Sequence, residues 1–255
     1  MAKQVVPKPP KNGKFMQTAR VDLMYIEYGG KAMRGSVAAY FDLDGTLLDA
    51  SSEKSLTATL SKKRPWRIPY GATAWCVGFL ANLLRLRAPY DAARNRGHFS
   101  LTSWEVLETL SKQIAEEKLV HRVTQQARDA IEWHRSQGHR LVLVSATIAP
   151  MAEAMGAVLG MDAVYGCGPA QRTGILSGSE RGWAVPRRKG KVPIIEADAA
   201  ENGHNLAECY GYGNTMADSW FMRITGHPVA INSKGAFRQF AQEQNWEMHD
   251  WKIQS

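Results

Sequence analysis

A chain of 255 residues, 44% apolar and 22% charged, carries enough apolar side chain for one α/β core with an insertion, or for two small domains, and too much for a disordered chain. Its formal charge of +8 and pI of about 9.4 favour anionic partners, whether phosphorylated metabolites, anionic lipid surfaces or nucleic acid, without choosing among them. Cys76, Cys167 and Cys209 are odd in number, far apart and form no C-x-x-C pair, so neither a disulfide framework nor a zinc site is indicated and buried free thiols in a reducing compartment are expected.

The chain opens with a basic, proline-rich tail within residues 1–35, where Lys3, Lys8, Lys11 and Lys14 interleave with Pro7, Pro9 and Pro10. Such a composition stays extended and solvated. The N-terminus lacks an apolar core segment, so no secretory signal is expected and the chain reads as cytoplasmic. Residues 17–35 contain apolar side chains but no assignable element. Val37–Phe41 is an apolar run that meets Asp42, Asp44, Gly45 and Thr46, the pattern of a buried strand entering a loop. Residues two apart on an extended chain point the same way, so Asp42 and Asp44 are expected side by side. Two such carboxylates ionise together only around a cation or a shared proton, and a hard ion such as Mg²⁺ is the simplest remedy. The bland alternative is a polar turn after a core strand.

A helix is expected to start at Ser51–Lys54. About 100 residues then separate Thr46 from Ser145, whereas a direct crossover needs only about a dozen. Residues 51–134 are therefore an insertion, helical over Leu107–Trp133. Within it, Ile68–Leu84 runs 17 residues without a charge, bracketed by Lys62, Lys63, Arg64 and Arg67 before and by Arg85 and Arg87 after. With Pro69, Gly71, Thr73 and Asn82 it falls short of the roughly 20 apolar residues of a membrane span. The first reading is a buried helix of the insertion, the second an interfacial helix, the third a span. Arg122–Gly138 reads as an amphipathic helix with Val123, Ala127, Ala130, Ile131 and His134 on one face and Gly138 closing it.

Leu141–Val144 is a buried strand ending at Ser145. A helix over Ile148–Gly160, a strand at Ala163–Tyr165, a hairpin or edge turn at Gly174–Gly178 and a basic loop over Arg181–Lys191 follow. The chain closes with a helix over Pro193–Glu201, a strand at Glu208–Tyr212, a short helix over Asp218–Ile224, a strand at Val229–Ile231 and a helix over Lys234–Gln244. Strands alternating with helices predict an α/β fold with a doubly wound parallel sheet. Ligands of such sheets bind at the carboxyl ends of the strands, where Asp42, Ser145 and Asn214 are all expected.

Four stretches in fixed order resemble the motifs of the haloacid dehalogenase (HAD) superfamily: Asp42-Leu-Asp44-Gly45-Thr46, Ser145-Ala146-Thr147, Lys191 and Gly213-Asn214-Thr-Met-Ala-Asp218. The resemblance runs from about Val37 to Trp251, and the closing stretch from Gly226 through Phe237 and Phe240 to Trp246 is similar to subfamily IB, the phosphoserine phosphatase-like branch. It implies a HAD-like Rossmannoid core over residues 36–50 and 135–255, with a helical cap inserted between the first and second motifs over 51–134. It also implies Asp42 as the nucleophile that takes the phosphoryl group and Asp44 as the acid that protonates the leaving oxygen and then activates water. Ser145, Ala146 and Lys191 would bind phosphate, Lys191 being favoured over Lys189 by its place at a helix start. Mg²⁺ would be held by Asp42, the carbonyl of Asp44, Asn214 and Asp218. Dehalogenases lack the second acid, so Asp44 points to phosphoryl transfer.

Two positions depart from the family pattern. Asn214 stands where an acid is usual, keeping an oxygen for the metal and removing one negative charge. Phosphoserine phosphatases place a Glu nine residues after the nucleophile, and Ser51 stands there instead. The expected function is a Mg²⁺-dependent phosphomonoester hydrolase working through an aspartyl-phosphate, on a small-molecule substrate with an apolar or lipid-like alcohol part. Phosphotransfer to another alcohol and a weakly active or inactive binding protein, through Asn214, are the alternatives. Peripheral contact with an anionic membrane is expected and nucleic acid is not, since the basic residues are scattered without a nucleic-acid motif. The oligomeric state is left open.

Overall fold

A computed structural model describes residues 25–27, 36–84, 99, 101–168, 174–176 and 186–252. The basic tail, Gly178 and the first part of the basic loop lie outside them. In chain order the elements are β1 (Tyr25–Glu27), β2 (Ala38–Phe41), α1 (Ser52–Lys63), α2 (Arg67–Leu83), α3 (Trp104–Glu117), α4 (Gln125–Ser136), β3 (Arg140–Ile148), α5 (Ala149–Leu159) and β4 (Ala163–Cys167). There follow α6 (Lys191–Asn202), β5 (Tyr210–Gly213), α7 (Ser219–Met222), β6 (His227–Ile231), α8 (Gly235–Glu243) and β7 (Glu247–His249).

The strands form one sheet in the order β1-β4-β3-β2-β5-β6-β7. Every pair from β4 to β7 is parallel. The exception is β1, antiparallel to β4 at the edge, a strand in the stretch where the sequence offers no element. β2 lies in the middle because the chain builds β3 and β4 on one side of it and then returns to build β5 on the other. That reversal opens a crevice at the carboxyl ends of β2, β3 and β5, where ligands of open α/β sheets sit.

Both faces of the sheet are covered. Ala39, Phe41, Leu141 and Leu143 face one core, which includes Leu56, Leu107, Ile131 and Met155 from α1, α3, α4 and α5. Ala38, Tyr40, Val142 and Val144 face the other, with Ile194, Ile195, Phe221 and Phe237 from α6, α7 and α8. The near-continuous apolar runs of β2 and β3 follow from this two-sided burial. The first core runs without interruption from the insertion into the sheet, and the line drawn at residue 134 falls inside α4. There His134 is buried, its Nε2 2.9 Å from the Tyr212 hydroxyl and its Nδ1 2.8 Å from His139 Nδ1.

Three expectations are corrected. The helix over residues 68–84 forms as α2, but it is not a buried cap helix: from Ala72 onward every described side chain is exposed, with Leu83 at 66%. Freedom from charge favours a non-aqueous environment but does not require that protein supply it. Cys167 and Cys209 are buried free thiols as expected, whereas Cys76, on that helix, is exposed. The strand expected from Glu208 begins at Tyr210, because Asn205 caps a short 3₁₀ turn over Leu206–Glu208 through its side-chain oxygen.

Candidate active site

β2 ends at Phe41, and the next residue still pairs with its neighbour: Asp42 N–H donates to Tyr212 O at 3.0 Å. The Asp42 side chain therefore leaves the carboxyl end of the central strand from a fixed backbone. Thr46 Oγ1 donates to Asp42 Oδ2 at 3.3 Å. The chain turns sharply between them through Gly45, whose φ of +82° suits glycine. A Cβ there would stand 2.0 Å from Asn214 Nδ2, so the first and fourth motif loops meet only because residue 45 has no side chain.

Lys191 begins α6 and is buried, with its Nζ 2.6 Å from Asp42 Oδ1 and 2.8 Å from Asp218 Oδ1. Its helix turns a face carrying Lys191, Ile194, Ile195 and Asp198 inward, the spacing of one helical stripe. Asp218 is held from the other side, where Oδ2 accepts from Thr215 N–H at 3.1 Å and Thr215 Oγ1 at 2.6 Å. Gly213 is required for this approach, since a Cβ on it would stand 2.5 Å from Asp218 Cβ. Lys189 is exposed, its ammonium 4.4 Å from the centre of the Trp220 ring.

Asp44 takes different partners from Asp42. Its Oδ1 accepts the Ser52 N–H at 3.0 Å and its Oδ2 faces Ser51 Oγ at 3.5 Å, so it anchors the first turn of α1. The two carboxylates remain close enough for Asp44 to raise the Asp42 pKa, but after Asp42 the chain turns and bridges Asp44 with Leu48, so each has its own hydrogen-bond partners. Ser145 is buried inside β3, not after it, where pairing with β4 shifts between Val144 and Ile148. Its Oγ accepts from Thr147 N–H at 3.2 Å, and Ala146 is half-buried on the same irregular stretch. Irregular strand ends of this kind re-aim side chains beside ligand sites. Thr147 Oγ1 is 2.9 Å from Ser52 Oγ, tying that stretch to α1.

Direct polar links thus join Asp42, Lys191 and Asp218, while Asp44 and Asn214 stand on the adjoining loops and Ser145 and Ala146 on the irregular end of β3. Several supporting residues escaped the sequence reading. Thr46 and Thr215 lie within motifs already singled out. Asn232 has no local signal: its Nδ2 donates to Gly45 O at 3.2 Å while its Oδ1 accepts from Trp251 N–H at 2.7 Å.

Burial pushes the Asp42 carboxyl up to about 7, opposed by Lys191 and assisted by Asp218 and Asp44. Burial also raises Asp44, against the donations from Ser52. Burial alone would lower Lys191, but Asp218 and Asp42 more than offset it and hold the ammonium above its ordinary value. Three carboxylates beside one lysine leave a negative excess that a divalent cation would neutralise. Among the described residues no group of three His, Cys, Asp or Glu side chains is placed to hold a metal. The donors that the motifs offer, the Asp42 and Asp218 carboxylates, the Asn214 amide and the Asp44 main-chain carbonyl, are all oxygens, and oxygen donors of this kind would suit a hard ion.

A family model described as haloacid dehalogenase-like hydrolase matches residues 39–223. The chain belongs to that family, and its sheet is the Rossmannoid core of that fold. It is an enzyme, a hydrolase of the phosphatase class. Among its relatives, Mycobacterium tuberculosis phosphoserine phosphatase SerB1 is 26% identical over 227 residues, covering 86% of this chain and 72% of that protein. A probable phosphatase of the same species is 27% identical over 241 residues, covering 86% and 76%. A solved Bordetella pertussis protein of unknown function superposes with a TM-score of 0.70 at 24% identity, over 84% of this chain and 97% of that one. A phosphoserine phosphatase solved as a phospho-aspartyl intermediate analogue shares the fold at a TM-score of 0.56 and 16% identity, over 85% and 94%.

Proposed function

We propose that the protein is a Mg²⁺-dependent phosphomonoester hydrolase in which Asp42 carries the phosphoryl group between two half-reactions. The observation that supports this reading most is the buried lysine of α6 joined to Asp42 and Asp218 at 2.6 and 2.8 Å at the carboxyl edge of the sheet. A phosphate monoester is anionic and repels a nucleophile, so a site that cleaves it needs positive charge, an in-line nucleophile and a proton donor. Lys191 supplies fixed positive charge. Ser145 Oγ and the main chain at Ala146 bind phosphoryl oxygens. Mg²⁺, held by Asp42, the Asp44 carbonyl, Asn214 and Asp218, supplies charge neutralisation when bound.

In the first half-reaction an Asp42 oxygen bonds to phosphorus as the ester P–O bond breaks, and the electron pair leaves on the alcohol oxygen. Asp44 gives that oxygen its proton, a role its raised pKa suits. In the second, Asp44 takes a proton from water, whose oxygen bonds to phosphorus and releases Asp42 and inorganic phosphate.

The name of SerB1 brings phosphoserine forward as a substrate. Against it, position 51 is a serine whose hydroxyl faces Asp44 at 3.5 Å, and it offers no carboxylate for an amino group. The test is hydrolysis of p-nitrophenyl phosphate with Mg²⁺, followed by a panel of amino-acid, sugar, nucleotide and lipid phosphates. Asp42→Asn is expected to lower the rate by roughly a thousandfold or more. Equal rates would remove Asp42 from the chemistry. Asn214 supports a second reading, a slow enzyme with a weakened ion, which predicts activity only at high Mg²⁺.

A further inference from the structure

We infer that α2 is a docking helix that lays its apolar face into the interface of an anionic lipid bilayer. This does not rest on the phosphatase reading. At 3.6 residues per turn, Ala72, Cys76, Val77, Leu80 and Leu83 fall on one side of the helix. All are exposed, Val77 at 60%, Leu80 at 54% and Leu83 at 66%. The opposite side carries Arg67 and Gly71, both buried, and Arg67 Nη2 donates to Leu101 O at 3.0 Å. The first turn of α2 is therefore seated on the body while its apolar side faces outward. Contiguous exposure of this kind marks an interaction surface rather than scattered surface leucines.

Charge names the occupant. Between Glu53 and Asp91 the sequence has no acidic residue and seven cations: Lys54, Lys62, Lys63, Arg64, Arg67, Arg85 and Arg87. Arg67 is buried, but Lys54, Lys62, Lys63 and Arg64 are exposed just before the helix with no acid in the stretch to offset them. A second copy would bring like charge against like. An acidic soluble polymer would satisfy the cations and leave the leucines in water. An anionic bilayer satisfies both, with cations among the headgroups and apolar side chains at the acyl boundary. Trp66, 47% exposed and edge-on to Tyr70, stands at the start of the helix, and aromatic residues of this kind belong at headgroup level. The 17 residues of α2 span about 26 Å, short of the roughly 30 Å hydrocarbon core. Among the described residues no helix is long and apolar enough to cross a membrane. The helix lies on the bilayer.

Flotation of the full chain with phosphatidylcholine vesicles, with and without phosphatidylglycerol, tests this at low salt. Binding to the anionic vesicles is expected, about tenfold or more above that to neutral ones. The variant Val77→Ser/Leu80→Ser/Leu83→Ser is expected to weaken it at least about tenfold with an unchanged melting temperature, since the three side chains are exposed. Each of Lys62→Gln and Lys63→Gln is expected to weaken it about fivefold. No flotation on anionic vesicles would overturn the inference. So would flotation that the triple serine variant retains in full, which would mean adsorption by charge alone. A wild-type dimer that the serine variant converts to monomer, with no vesicle binding, would overturn it too and assign the face to a second copy.

Discussion

Lys191 sits where three separate stretches of chain converge, and its charge opposes the effect of burial on the Asp42 carboxyl. Without it, Asp42 would lose the partner that opposes its burial. Its carboxyl, already pushed up to about 7, would rise further. In the proposed mechanism Asp42 reacts as the carboxylate, so Lys191→Met is expected to shift the acid limb of the kcat/KM–pH profile to higher pH as well as to lower its plateau. An unshifted limb would mean that Asp42 and Lys191 are not coupled. Asn214→Asp adds one negative charge to the oxygen donors and is expected to tighten Mg²⁺ binding by about tenfold. An unchanged Mg²⁺ titration would show that residue 214 is not a ligand.

At the scale of the element, α6 is the part to watch. Two turns after Lys191 the same face carries Asp198, which accepts from Tyr40 hydroxyl at 3.1 Å, Arg140 Nη2 at 3.1 Å and Tyr165 hydroxyl at 2.9 Å. One buried carboxylate thus ties the lysine-bearing helix to β2, β3 and β4. Removing one partner of a buried ion pair leaves the other uncompensated, so Asp198→Ala is expected to cost about 3–5 kcal/mol. Chemical denaturation measures it. Asp198→Asn keeps an oxygen for the two hydroxyls and is expected to cost less. If both variants match the wild type in stability, the network does not anchor α6.

At the scale of the molecule, α4 is keyed to the sheet by His134. Burial, with His139 adding, lowers its pKa to about 3. The unfolded chain binds a proton near pH 6.5 that the folded state refuses until far lower. Stability from this group is therefore complete above pH 6.5 and is lost as pH falls towards 3. Between pH 6.5 and 4 the loss amounts to about 3 kcal/mol. The fall in melting temperature across that range is expected to be shallower in His134→Gln than in the wild type. Parallel slopes would mean that His134 is protonated in the fold.

The sequence by itself determined the alternation of strands and helices, the parallel sheet and the four motif positions. Each of these is written locally, in runs of apolar residues and in the turn chemistry of Asp, Gly and Ser. It did not reveal β1, whose three residues form a strand only because β4 offers an edge. It misjudged α2, because an uncharged run looks the same whether protein or another apolar phase covers it. It could not foresee that Asp42 and Asp44 take different hydrogen-bond partners, Lys191 for one and the start of α1 for the other, since the chain turns after Asp42. Nor could it find Asn232, which reaches Gly45 across 187 positions of sequence. Proximity between distant segments is a property of packing, and only the folded chain brings Lys191 between Asp42 and Asp218.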